Sequence, residues 1–261
     1  MTAVWPDRSE LPDPDDPERA AYRAVRCLPG EVASNVLVPG DPGRAALIAR
    51  EWLSDARLVM VQREFHTYTG TYNGVPVSVI STGIGGPGTA MVMQDLGKLN
   101  CARAIRVGTA GSAHSKVAPG DNVVGIGAVR DDGVSHKFLP ARYPAVPDLD
   151  VTNALRTAAA KSTVAVHAGI VHTSDAFRAP SLGAEIELAQ TAGVLCFEME
   201  AATVLSIGRL VGVATGCIFS IDGYVANVSA GNTTPAADAR DRGIKNAIRG
   251  ALDAIVTMEE A

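Results

Sequence analysis

Two rhythms of apolar and polar residues divide the chain. Between residues 58 and 81 they alternate with a period of two, in 58–62, 67–72 and 75–81, which predicts three consecutive strands. Asn73-Gly74 supplies the hairpin turn between the last two. Short apolar runs at 34–38, 104–107, 120–129, 163–171, 194–197 and 213–221 predict further strands. Between them, residues 45–52, 89–99, 151–161, 184–192, 201–211 and 236–259 carry helical patterns. The strand at 104–107 is expected to run into a turn of small residues, 108–111, and residues 131–148 and 223–235 are expected as loops. Strands alternating with helices predict an α/β protein, a three-layer α/β/α sandwich around a mixed, largely parallel twisted sheet. Neither an internal repeat nor a linker interrupts the pattern, so residues 31–261 are expected as a single domain. Residues 1–30, rich in Pro, Asp and Arg, are expected as a loose, partly disordered N-terminal arm with a short helix around 18–25.

Composition narrows the function classes. The 261 residues are 47% hydrophobic and 20% charged, enough for a core that needs neither disulfides nor a structural metal. Net charge is −5, with 23 basic against 28 acidic residues and no basic cluster, so nucleic acid is not an expected partner. No apolar run approaches the roughly 20 residues that cross a bilayer. The acidic, proline-rich start carries no apolar signal segment, and the chain is expected to be cytoplasmic. Cys27, Cys101, Cys196 and Cys217 form no CxxC pair and are expected as buried small hydrophobes. The histidines at 66, 114, 136, 167 and 172 show no ligand spacing, so no catalytic metal is expected.

Candidate chemistry gathers at predicted strand ends. Arg106, followed by Gly108-Thr109-Ala110-Gly111, sets a permanent cation beside backbone that a ligand can approach closely. The stretch reads either as an anion site or as a buried arginine paired with a carboxylate. Pro39-Gly40-Asp41-Pro42-Gly43-Arg44 carries an N-cap candidate in Asp41 and a proline at the start of a helix. A cation in that first turn opposes the helix dipole, so Arg44 favours an anion held on free N–H groups; the alternative is a solvated arginine on a well-capped turn. Thr82-Gly83-Ile84-Gly85-Gly86-Pro87-Gly88 matches neither a P-loop nor GxGxxG, but marks a place where backbone lies close to something. Glu198-Met199-Glu200 places two carboxylates at a strand end, for a ligand hydroxyl, a cation or an arginine, or else as compensation for a helix dipole. Asp222 reads equally as an acid/base residue or, with Gly223, as a turn former.

Together these stretches resemble the nucleoside phosphorylases of the uridine phosphorylase and hexameric purine nucleoside phosphorylase type, over about residues 35–255. The resemblance is carried by Val38-Pro39-Gly40-Asp41-Pro42 with Arg44, Arg63-Glu64-Phe65, Ser81-Thr82-Gly83-Ile84-Gly85-Gly86-Pro87, Ile105-Arg106-Val107-Gly108-Thr109-Ala110-Gly111, and Phe197-Glu198-Met199-Glu200-Ala201. The segment from Arg130 to Ser135, with Phe138, Pro140 and Tyr143, looks closer to the uridine enzymes. The resemblance implies a nucleoside and inorganic phosphate as substrates, with free base and ribose 1-phosphate as products, and no redox or organic cofactor. It implies a phosphate site of Gly40, Arg44, Arg106 and Thr109, completed by Arg63 from a neighbouring subunit of a homo-oligomer, a hexamer built from dimers. Glu200, with Met199, the Glu198 backbone and Thr109, would hold the ribose; Phe177, Phe197, Ile221 and the small floor of Ala110 and Gly111 would meet the base.

Departures from the family pattern are also legible. The glutamine and arginine by which uridine phosphorylases read the pyrimidine have no counterpart after Phe177, and Arg178 is the candidate substitute. Ile221 aligns with the aspartate by which purine enzymes protonate the leaving base, and Asp222 falls one residue late. The histidine that reaches a neighbour's sugar is missing before Pro39. Glu64 matches the carboxylate of an intersubunit monovalent-cation site, but Gly88 stands where its serine would be. A phosphorolytic enzyme for a uridine-like nucleoside is the expectation. A purine nucleoside phosphorylase, a nucleosidase using water, and a nucleoside-binding protein without turnover are the alternatives.

Overall fold

A computed structural model describes residues 8–177, 181–226 and 237–260. In chain order the elements are β1 (Asn35–Leu37), α1 (Pro42–Trp52), β2 (Ser54–Gln62), β3 (Phe65–Tyr72), β4 (Val75–Ile80), α2 (Gly86–Lys98), β5 (Arg103–Ser112), β6 (Asn122–Asp131) and α3 (Ser135–Phe138). There follow α4 (Leu149–Ala159), β7 (Val166–Ser174), α5 (Leu182–Thr191), β8 (Val194–Glu198), α6 (Ala201–Val211), β9 (Ala214–Tyr224) and α7 (Ala237–Glu259). Among the described residues no helix is long and apolar enough to cross a membrane.

The strands form one mixed sheet in the order β2-β3-β4-β1-β5-β8-β7-β6-β9. Its short central strand shows why the layers form: Leu37 packs with α1, α4 and α7, while Val36 and Val38 face α2 and α6. A strand buried on both sides needs apolar residues at every position, and β1 is buried throughout. The α/β class is as expected, with a further feature that strand spacing does not carry. β5 pairs antiparallel with β8 and parallel with β9, so β5-β8-β7-β6-β9 closes into a barrel.

Several local expectations change. The expected turn at 108–111 is continuous strand, because β9 offers partners all along it, from Arg103↔Ala214 to Ser112↔Tyr224. Its small residues serve close packing: a Cβ on Gly111 would lie 2.7 Å from Val225 Cγ2, and one on Gly108 would lie 3.1 Å from the Phe219 ring. α1 begins three residues early, at Pro42, where Asp41 accepts a hydrogen bond from Gly43 N at 2.8 Å. The loop at 131–148 contains the short α3, and the Arg130 guanidinium ties it down by donating to the carbonyls of Leu139, Pro140 and Tyr143.

The segment expected as a loose arm is packed where it is described. In place of a helix at 18–25 it forms a 3-10 turn, Pro17–Arg19, and irregular turns. Arg19 makes a two-pronged ion pair with Glu31 at 2.7 and 2.9 Å, which lowers the Glu31 carboxyl below its ordinary range. Ala24 and Val25 are fully buried and donate their backbone N–H groups to Asp95 on α2, at 2.7 and 3.2 Å. Tertiary partners outweigh the polar, proline-rich composition here. All four cysteines are free and buried, and burial pushes the Cys27 and Cys217 thiols up to about 12.

Candidate active site

A cavity of about 490 Å³ opens where β5 leaves the central sheet and enters the barrel. One end is built from strand ends and helix N-termini. The β1–α1 turn brings Gly40, Asp41 and Arg44; β5 brings Arg106 and Thr109; the β8–α6 junction brings Glu198, Met199 and Glu200. Arg106 is 5% exposed. Its Nη2 donates to Glu200 Oε2, its Nη1 to Val38 O at 3.4 Å, and its Nε lies 3.9 Å from Glu198 Oε2. Gly40 covers it: a Cβ there would stand 3.3 Å from Arg106 Nη1 and 3.0 Å from Gly83 O. Arg44 shares this end, and burial, then the like charge of Arg106, push its guanidinium below the ordinary value.

The two glutamates have different tasks. Glu200 Oε1 accepts Gly85 N–H at 2.6 Å, so the glycine-rich turn before α2 clamps the carboxylate that faces Arg106. The Glu198 carboxylate folds onto α6 instead, accepting from Glu200 N at 2.9 Å, Ala201 N at 2.8 Å and Thr173 Oγ1 at 2.5 Å. That is the helix-compensation reading, so its oxygens are engaged by the helix N-terminus rather than aimed at a sugar. Burial, then the neighbouring Glu200, raise the Glu198 carboxyl against the pull of Arg106.

The other end is mostly apolar. Ala110, Gly111, Ala176, Phe177, Leu182, Phe197 and Val225 line it, with Ser174 and Asp222 as polar groups. Ile221, the residue that aligns with a base-side aspartate, is fully buried in the core cluster with Cys217 and Phe219 and does not line the cavity. The register explains the exchange. Ala110 pairs with Ile221 and Gly111 with Gly223, so Asp222 is an extra residue in a β-bulge and turns into the cavity. Burial raises the Asp222 carboxyl above its ordinary value, opposed by Arg240 and Arg44.

Arg63 does not line this cavity; it is exposed in the β2–β3 turn with φ of +53°. Arg178 lies outside the described residues. At the position of the monovalent-cation serine, Gly88 offers no side-chain oxygen, and a Cβ there would stand 2.5 Å from Thr82 O. Sequence reasoning missed Ser174, Ala176, Leu182 and Val225 as lining residues. Only Ser174, at the end of β7, carries a usable signal, since strand ends in α/β sheets collect ligands.

Comparison with known proteins places this geometry. Residues 35–256 match the family described as the phosphorylase superfamily. A uridine phosphorylase of Thermococcus kodakarensis is 39% identical, over 76% of this chain and 75% of that protein. A guanosine phosphorylase of Halorubrum lacusprofundi is 34% identical, over 88% of this chain and 95% of that one. Among solved structures, a purine nucleoside phosphorylase of Toxoplasma gondii in complex with immucillin-H superposes with a TM-score of 0.85 at 28% identity, covering 92% of this chain and 96% of that chain.

Proposed function

The chain belongs to the phosphorylase superfamily and is a nucleoside phosphorylase, a pentosyltransferase that takes a nucleoside and phosphate; on that premise we propose that it is specific for purine nucleosides, with Asp222 protonating the leaving base. The observation that supports this reading is the β5–β9 bulge, which carries Asp222 into the base end while Ile221 goes to the core. A carboxyl raised by burial keeps its proton to a higher pH than an ordinary aspartate, as a proton donor requires.

Phosphate would sit at the cationic end, on Gly40, Arg44, Arg106 and Thr109, with Arg63 supplied by a neighbouring copy in a cytoplasmic homo-oligomer. Two guanidinium groups at one end of a buried cavity favour a dianion strongly. As phosphate takes hydrogen bonds from Arg106, Glu200 Oε2 is released to accept from ribose hydroxyls, while Gly85 N–H keeps Oε1 in place. Met199 lines the sugar's position between the two ends. A phosphate oxygen then forms a bond to the anomeric carbon as the carbon–nitrogen bond breaks. The positive charge developing on the sugar lies beside the phosphate, and the electron pair leaving with the base is met by the Asp222 proton. The products are free base and ribose 1-phosphate, and no organic or redox cofactor takes part.

Uridine is the second reading, favoured by the uridine phosphorylase relative and by the Arg130-tethered loop that resembles the uridine enzymes. Initial rates with inosine, guanosine, adenosine and uridine, each with and without phosphate, decide. Phosphate-dependent release favouring the purines supports the proposal; a preference for uridine replaces it with the second reading. Equal release without phosphate means a hydrolase, and no release from any nucleoside means a binding protein.

A further inference from the structure

We propose that Asp131, His172 and Glu185 form a binding site for a divalent transition cation of the zinc or manganese class, behind the base end of the cavity. The three residues come from the end of β6, from β7 and from α5, so no local spacing in the sequence announces them. Their ligand atoms lie within 4.8 Å of one another. Bonds of about 2.0–2.2 Å around one cation set neighbouring ligand atoms roughly 3–4 Å apart, so side-chain rotations of about an ångström complete the set.

Three features argue for a cation rather than a chance meeting of charges. His172 is already held in orientation: its ring stacks on Phe197 at 4.4 Å and 21°, and its Nε2 faces Asp131 Oδ2 at 3.3 Å. Glu185 is braced by a hydrogen bond from Ser181 Oγ, the outer contact that a ligating carboxylate commonly has. The donor set is one imidazole nitrogen with two carboxylates, graded from a buried histidine to an exposed aspartate. One nitrogen and two oxygens suit zinc or manganese better than calcium or magnesium, which prefer all-oxygen sites. Three protein ligands would leave the remaining positions to water.

The site touches no reacting atom. Its place matters because Phe197, on which His172 stacks, and Leu182, three residues before Glu185, both line the base end. A cation there would fasten α5 to the β6–β7 rim and fix that wall. The inference stands whether the base is a purine or a pyrimidine.

The test uses the full chain, freed of metal by chelation and dialysis, with zinc and manganese titrated separately by calorimetry and Tm read in parallel. One equivalent per chain is expected, with a Tm rise at saturation. Glu185→Gln and Asp131→Asn, which keep side-chain shape, should each weaken binding about 10- to 100-fold and reduce the Tm rise at a given metal concentration. His172→Ala should abolish binding, but it also removes the Phe197 stack, so the two carboxylate variants are the decisive ones. His167→Ala, which disrupts the separate Asp121–His167 pair, should leave binding unchanged. No binding to the wild-type chain, or binding untouched by both carboxylate variants, overturns the proposal.

Discussion

The two ends of the cavity are built on different principles. At the cationic end, charged side chains are held by backbone: Gly85 N–H fixes Glu200, Val38 O receives Arg106, and Gly40 leaves room for its guanidinium. These elements sit at strand ends and helix starts, where unpaired N–H groups and dipoles are available without distortion. At the other end the walls are apolar side chains from the barrel, and its acid arrives through an irregularity in a strand pair. Charge placed by backbone makes a fixed site; apolar walls placed by packing make an adaptable one. That contrast suits a family whose members here are named for uridine, guanosine and purine substrates while sharing one fold.

The strongest challenge to this contrast is Arg106→Ala. If the cationic end is fixed and indispensable, kcat/KM for phosphate should fall on the order of 10²–10³-fold or more with every nucleoside tested. The change also leaves the Glu198 and Glu200 carboxylates buried without their cation, a loss of roughly 3–5 kcal/mol that a Tm measurement would show. Wild-type turnover at subsaturating phosphate would remove Arg106 from the phosphate site.

Asp222→Asn probes the opposite end. Loss of a general acid should cost about 10²–10⁴-fold in kcat with purine nucleosides, and much less with uridine. The high-pH limb of the rate profile, where the acid loses its proton above the ordinary aspartate range, should disappear. Because the carboxyl is raised, the folded state holds its proton more tightly than the unfolded chain. This group therefore supports folding at low pH and opposes it as pH rises through the raised value. The variant should then be more stable than wild type at neutral pH while less active. Equal losses with all bases would make the two ends less distinct than proposed.

Asp95→Ala asks how far the cationic end depends on the N-terminal segment. It leaves the N–H groups of Ala24 and Val25 buried without an acceptor, at about 1–3 kcal/mol, read as a lower Tm. α2 also carries the turn that clamps Glu200, so KM for the nucleoside should rise a few-fold at most. Last, Gly111→Ala sets a Cβ 2.7 Å from Cγ2 of the buried, stiff Val225, which must shift, and should change base preference with phosphate KM unchanged. A large change in phosphate KM would show the ends to be coupled through β5.

Much of this is legible in the sequence, for local reasons. Residues 201–211 are apolar at nearly every position and bounded by Glu200 and Gly212, and the helix occupies just those residues, ending on Gly212 at φ of +75°. Asp41-Pro42 announces the helix start at the cationic end through capping chemistry. The docking of residues 8–33 is not legible, since its polar composition hides the few buried contacts, such as Ala24 and Val25 on Asp95, that hold it. Small residues at 108–111 suggest a turn yet form strand, because smallness permits a turn and close strand packing equally.

By itself, the sequence determined most of the elements, the α/β class and the motifs that place this chain in its family, all of which depend on residue type and short-range spacing. Only the tertiary structure decided that β5 meets β9 and closes a barrel, that Ile221 belongs to the core and Asp222 to the cavity, and that the Glu198 carboxylate serves a helix. The first two of those outcomes turn on register between distant strands. A shift of one residue there exchanges the faces of a strand, and no local pattern records it.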